Sequence, residues 1–262
     1  MKLTLVEKEW VNLLRKEQGF ALKHKQAKKS NLQNQVEKIV PKGLQDKLDA
    51  AFNKGFFLVF EKGISIIEKT YVKENYEKDY LINEYAANVR QNRKSLRVFT
   101  KKAQIANTKN KLISGVEGLV LGTLGVGLPD IPLFIGVLLK SIYEIALSYG
   151  YGYDSDEEKI FILKLIETAM FYGPDFKYKD DEVNKMIDML NHHVIFENSN
   201  LAKSIEGAAK VLSDELLYMK FLQGVPIAGI IGGISDITCQ HTVTEYAMMK
   251  YQRRFLLSKL GR

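Results

Sequence analysis

A single cysteine, Cys239, in 262 residues excludes an intramolecular disulfide and any multi-cysteine zinc site, so a reducing compartment is expected. Prolines number only five, and no alternating β-branched run is bounded by Asn-Gly turns, so the signature of strands and hairpins is missing. The opening, MKLTLVEKEWVNLLRKEQ, places charges within its first ten residues and never builds the apolar stretch of a signal peptide. A cytoplasmic location follows as the expectation. No charge-free run exceeds the 15 residues from Phe221 to Ser235, whereas a spanning helix needs about 20 apolar residues. Walker loop, Gly-x-Ser-x-Gly elbow and Rossmann fingerprint are all absent, and the Gly-x-Gly at 125–127 leads into Leu-Pro-Asp with no preceding strand. No cofactor and no bound metal are expected.

What the chain does contain is helical period. Long stretches repeat apolar residues near every 3.6 positions, which predicts an all-α fold: one multi-helix domain built around Gly-rich apolar helices, with a basic N-terminal helical portion. Helices are expected over 4–29, 43–70, 79–106, 111–126, 131–149, 156–172, 180–193, 200–220 and 227–258. The best-marked start is Asp154-Ser155-Asp156-Glu157-Glu158, where Ser155 can cap and Glu158 can reach back in a capping box. Gly173-Pro174 stops that helix. Composition shifts near residue 106, so 1–106 reads as a basic helical portion and 107–262 as an apolar, Gly-rich core, the two forming one continuous domain.

Charge is uneven. Residues 1–110 carry 23 Lys and Arg against 12 Asp and Glu, and the rest carries 15 against 19. Between Glu84 and Glu117 there is no acid, but there are eight basic residues. Of these, Arg90, Arg93, Lys94, Arg97 and Lys101 follow helical spacing along one face, while Val89, Leu96, Phe99 and Ala103 can pack inward. Such a ridge suits anionic membrane surfaces at about 1 kcal/mol per residue; it also suits nucleic-acid phosphates, or is simply a solvated face. Nucleic acid is the least favoured partner, because no helix-turn-helix, zinc-ligand or aromatic RNA-binding motif accompanies the ridge.

The ridge runs into LISGVEGLVLGTLGVGLPD, whose Gly115, Gly118, Gly122 and Gly125 share a helix face. A second stretch, GVPIAGIIGGISDI, carries Gly229, Gly232 and Gly233. Each glycine inside a helix costs roughly 1 kcal/mol relative to alanine, so two such faces predict a close helix crossing at the centre of the fold. Pro129 and Pro132 form an elbow, with Asp130 placed to cap the helix after it. From Gly118 to Leu139 Asp130 is the only charge in 22 residues, which leaves a shallow re-entrant hairpin open beside the reading as buried core.

Candidate chemistry is confined to two helices. Ser141, Glu144 and Ser148 lie on one; Asp236, Gln240, His241 and Glu245 lie on the other, with His241 and Glu245 four apart. Were the helices adjacent, Asp130, Glu144, Asp236, His241 and Glu245 could converge on a polar pocket able to hold a divalent metal or to act as general acid and base. Capping for Asp130 and an exposed helix pair for His241 and Glu245 are the plainer readings.

The segment GLPDIPLFIGVLLKSIYEIALSYGYGYD at 127–154 and the segment VPIAGIIGGISDITCQHTVTEYAMMKYQRRFL at 225–256 resemble the EcsC protein family. The first is similar to its Leu-x-Asp-x-Pro elbow, its apolar helix ending in Glu-Ile-Ala, and its Tyr-Gly before an acidic cap. The second is similar to its Pro-x-x-Gly-x-x-x-Gly segment and long helix. The resemblance covers roughly 105–260. It implies a helical fold and, because the family's name comes from a bacterial protein encoded beside an ABC transporter, an accessory role at the cytoplasmic membrane. Asp236 stands where the family pattern has asparagine. The expectation is a peripheral membrane or transporter-associated binding module, with an anionic membrane surface, a transporter or another protein as partner; a hydrolase using the polar pocket is the alternative.

Overall fold

The computed structural model describes residues 3–25, 38, 40–63, 67–69, 71–90, 93–112, 130–194, 200–222 and 237–261. Over these residues the fold is all-α. The helices are α1 (Leu5–Lys25), α2 (Lys42–Leu58), α3 (Lys73–Arg90), α4 (Arg93–Leu112), α5 (Asp130–Ser148), α6 (Asp156–Met170), α7 (Phe176–Asn191), α8 (Leu201–Leu222) and α9 (Ile237–Leu260), and α2 closes in a π turn at Val59–Gly63.

Two helices lie inside the others. α9 is flanked by α1, α4, α5, α6 and α7, and α5 by α2, α3, α4 and α9. For α5 the sequence explains this, because a helix apolar on all sides must be covered on all sides. On α5, Ile131, Ile135, Leu138, Leu139, Ile142, Tyr143, Ile145 and Ala146 are all buried. The stretch Ile131–Ser148 has the length and mean hydropathy, 1.6, of a spanning helix, yet 83% of it is buried by the fold's own helices. Where α2 meets α5, a side chain on Gly55 would come within 2.7 Å of Ile135 Cδ1, so this glycine permits the approach. α8 packs across α2 and α6.

Several boundaries differ from the sequence reading. The expected helix 79–106 is two helices, α3 and α4, in an antiparallel hairpin tied by Lys102 to Asp79 at 2.5 Å. The inward residues explain the break: Ala87 and Leu96 are nine apart, about two and a half turns, so no single helix could bury both. Val89, expected to pack inward, is therefore on the outer face of α3 and 64% exposed. Pro132 does fall in the first turn of α5. The glycine faces, Gly115, Gly118, Gly122 and Gly125 with Gly229 and Gly233, lie outside the described residues. Ser155 caps α6 by accepting from the Glu158 N–H at 3.2 Å, but the Glu158 carboxylate turns inward, where it accepts from Tyr251 Oη and Arg254 Nη1, both at 2.7 Å.

That inward carboxylate is one of two buried ionic clusters along α9. The other centres on Lys250, whose side chain is 0% exposed. Its ammonium donates to Glu17 of α1 at 3.0 Å and to Asn184 of α7 at 2.9 Å, and pairs with Asp180 of α7 at 2.7 Å. Tyr246 Oη adds a donor to Asp180 at 2.7 Å, and Arg253 reaches Glu17 at 2.7 Å. Burial alone would push the Asp180 carboxyl up, but Lys250 and Tyr246 outweigh it and hold the group below its ordinary value of 3.8.

Two outcomes are expected. Lys250→Met should lower the free energy of unfolding by about 3–5 kcal/mol, read from urea melts, because the buried Asp180 would lose its cation and Glu17 would keep only Arg253. Asp180 has a depressed folded pKa, so its contribution is complete above 3.8 and is lost as the pH falls through the lower folded value. The difference in Tm between wild type and Asp180→Asn should therefore be constant near neutrality and close below that point.

Candidate functional site

The basic residues of the α3–α4 hairpin divide into two sets. Arg93 and Arg97 turn toward α1, where both guanidinium Nε atoms donate to Glu9 Oε1, at 2.5 and 3.2 Å. Burial would raise the Glu9 carboxyl, but hydrogen bonds and charge from the two arginines hold it below its ordinary range. Lys102 is held by Asp79, and Lys259 of α9 reaches Glu84 of α3 at 2.5 Å. By contrast Lys78, Lys94 and Lys101 are exposed, and among the described residues no carboxylate pairs with them. Phe99 and Ala103 on the opposite side of α4 are 0% exposed, which fixes this orientation. The side chain of Arg90 lies outside the described residues.

Between the lysines lies an apolar stripe. Leu81, Ile82, Tyr85 and Val89 of α3 are 63, 66, 73 and 64% exposed, four of the five most exposed large apolar side chains among the described residues. Their spacing puts them within about 100° of arc on the side of α3 opposite Tyr76, Tyr80 and Ala87.

The polar residues picked from the sequence go to different places. α9 does lie beside α5, joined by Gln240 Nε2 donating to Ser141 Oγ at 3.1 Å. Because Gln240 faces α5, the next residue, His241, turns outward, and its pair with Glu245 at 3.8 Å is half-exposed. Glu144 is buried and accepts from Tyr76 Oη at 3.1 Å. The Asp130 side chain and Asp236 lie outside the described residues. Among the described residues no group of three or more His, Cys, Asp and Glu side chains could hold a metal ion.

Sequence reasoning missed the tyrosines around Glu144. Tyr71 Oη donates to Tyr153 Oη at 2.6 Å, and Tyr153 donates to Glu68 Oε1 at 2.8 Å. Lys73 pairs with Asp154 at 2.7 Å and sits 4.6 Å above the Tyr153 ring. On the other face of that ring Tyr143 stacks, centroids 4.0 Å apart, and among the described residues its buried hydroxyl has no hydrogen-bond partner. Burial, reinforced by neighbouring carboxylates, pushes the hydroxyls of Tyr71, Tyr76, Tyr143 and Tyr153 well above the ordinary range. All four are neutral phenols, and three of them, Tyr71, Tyr76 and Tyr153, donate hydrogen bonds that tie Glu68, Tyr71 and Tyr76 to Tyr153 and to Glu144 of α5. Tyrosines at 71, 76, 143 and 153 carry no spacing signal that could have joined them.

With the fold and these surfaces defined, comparison with known proteins places the chain. The family model described as "EcsC protein family" matches residues 7–256, so the chain belongs to the EcsC protein family. The match takes in most of the first hundred residues, from residue 7 on, which the motif resemblance had left uncovered, and with them the basic hairpin. A curated relative, an uncharacterized protein YdbA of Bacillus subtilis (strain 168), is 30% identical over 154 residues, 55% of this chain. The aligned part spans 53% of that relative's length. No solved structure matches.

The unpaired Tyr143 hydroxyl yields a contrast within one cluster. Tyr143→Phe should leave stability unchanged or slightly raised, since no bond is lost, whereas Tyr153→Phe should cost about 1–2 kcal/mol by removing the acceptor of Tyr71 and a donor to Glu68. Equal losses in thermal melts of the two variants would contradict this assignment.

Proposed function

We propose that this EcsC family protein is a non-catalytic, peripheral module at an anionic membrane surface, captured by the lysines of the α3–α4 hairpin. The supporting observation is the division of charge described above: Arg93 and Arg97 are paired with Glu9 and Lys102 with Asp79, while Lys78, Lys94 and Lys101 face outward and, among the described residues, have no acidic partner. Each lysine near an anionic leaflet contributes about 1 kcal/mol, so three give a reversible, salt-sensitive association. An ABC transporter or another protein at that membrane is a further partner that rests on family resemblance alone. The hydrolase alternative draws no support from the geometry, since His241 and Glu245 are on the surface and Glu144 is buried beside Tyr76.

Purified protein should co-sediment with phosphatidylglycerol-containing vesicles at low salt and be released at high salt, and should ignore phosphatidylcholine vesicles. Lys94→Glu/Lys101→Glu should weaken binding by roughly tenfold or more. Arg93→Glu/Arg97→Glu is a poorer probe, because it replaces the two cations paired with Glu9 by two more carboxylates and loosens α1. Binding that is indifferent to salt and to the lysine reversals would sink the reading.

A further inference from the structure

We infer that the α3 stripe is an insertion element: once the lysines hold the protein at an anionic membrane, Leu81, Ile82, Tyr85 and Val89 enter the boundary between headgroups and acyl chains. The inference rests on the membrane reading above and adds a specific surface and depth to it. Three observations converge. The four side chains share one face of an 18-residue helix whose opposite face is fixed to the core through Ala87, Tyr76 and Tyr80, so the stripe is rigidly presented. Their exposure is unusual for a helix so well anchored, since a packed helix normally turns such residues inward.

Charge then selects the occupant. Lys78 lies within the stripe, one turn from Leu81 and Ile82, and α4, joined alongside by the Lys102–Asp79 pair, turns Lys94 and Lys101 outward. Glu74 and Glu77 are exposed at the start of α3, before the stripe; beside Leu81, Ile82, Tyr85 and Val89 the charges without a partner among the described residues are these lysines, which an anionic lipid surface meets with phosphates while it meets the apolar side chains with acyl chain. Lysine stems are long enough to keep the ammonium at the headgroups while the apolar neighbours go deeper, and tyrosine suits the interface itself. The helix would lie in the membrane plane, buried by about 5–10 Å on this face, without α5 leaving the core.

The test uses the full chain. Trp10 is the sole tryptophan, so Trp10→Phe combined with Tyr85→Trp places one fluorophore in the stripe. On phosphatidylglycerol vesicles the emission should shift to the blue and be quenched by lipids brominated high on the acyl chain more than by lipids brominated near its end. In a wild-type background Leu81→Gln/Val89→Gln should weaken vesicle binding roughly tenfold without moving the unfolding midpoint, because both side chains are already in water. Co-sedimentation without any blue shift would overturn insertion while leaving lysine capture intact. Absence of co-sedimentation would overturn both. A blue shift without vesicles, in a protein that sediments as a dimer, would give the stripe to a second copy and overturn the inference as well.

Discussion

The ammonium of Lys250 governs the interior. A fully buried cation is unstable unless carboxylates and amides surround it, and here they come from helices far apart in sequence: Glu17 on α1, Asp180 and Asn184 on α7. Hydrophobic burial would hold α9 at the centre in many rotations; this cluster admits one. The Glu158–Arg254–Tyr251 cluster repeats the constraint on the side of α6. Together they explain how α9 carries Lys250 and Arg254 into the interior.

The same rule sorts the basic residues of the N-terminal portion. Where a carboxylate is within reach on a neighbouring helix, the cation serves packing, as Arg93 and Arg97 do with Glu9. Where none is, it stays in water. A run of like charges in a sequence is therefore a mixture of paired and unpaired charge, and only the helix partners separate the two.

The helical class, the buried α5, the cap at Ser155 and the inward Phe99 and Ala103 were legible in the sequence because each depends on local period or local chemistry. The hairpin break between α3 and α4 was legible in principle, through the phase slip between Ala87 and Leu96, but charge periodicity from Arg90 to Lys101 masked it. The Glu158 carboxylate illustrates the other kind of miss: capping is a local option, and it loses to Arg254 and Tyr251, which lie more than ninety residues away. The tyrosine cluster around Glu144 failed to show for the same reason, since Tyr71 and Tyr153 meet only after the helices between them pack. His241 faces solvent because Gln240 faces Ser141, a fact that spacing along one helix could not supply.

Glu17 and Lys250 stand 233 residues apart, and this separation has a consequence for synthesis. During translation α1 and α7 emerge long before α9, so Glu17 and Asp180 wait as solvated carboxylates along an unfilled groove. Closure of that groove is a late, non-local step, slow for the reason that all long-range contacts are slow, and the nascent chain exposes the apolar face of α5 and α6 until it occurs. A ribosome that stalls before residue 250 would hold a chain with its core open and its two acidic partners without the lysine that joins them.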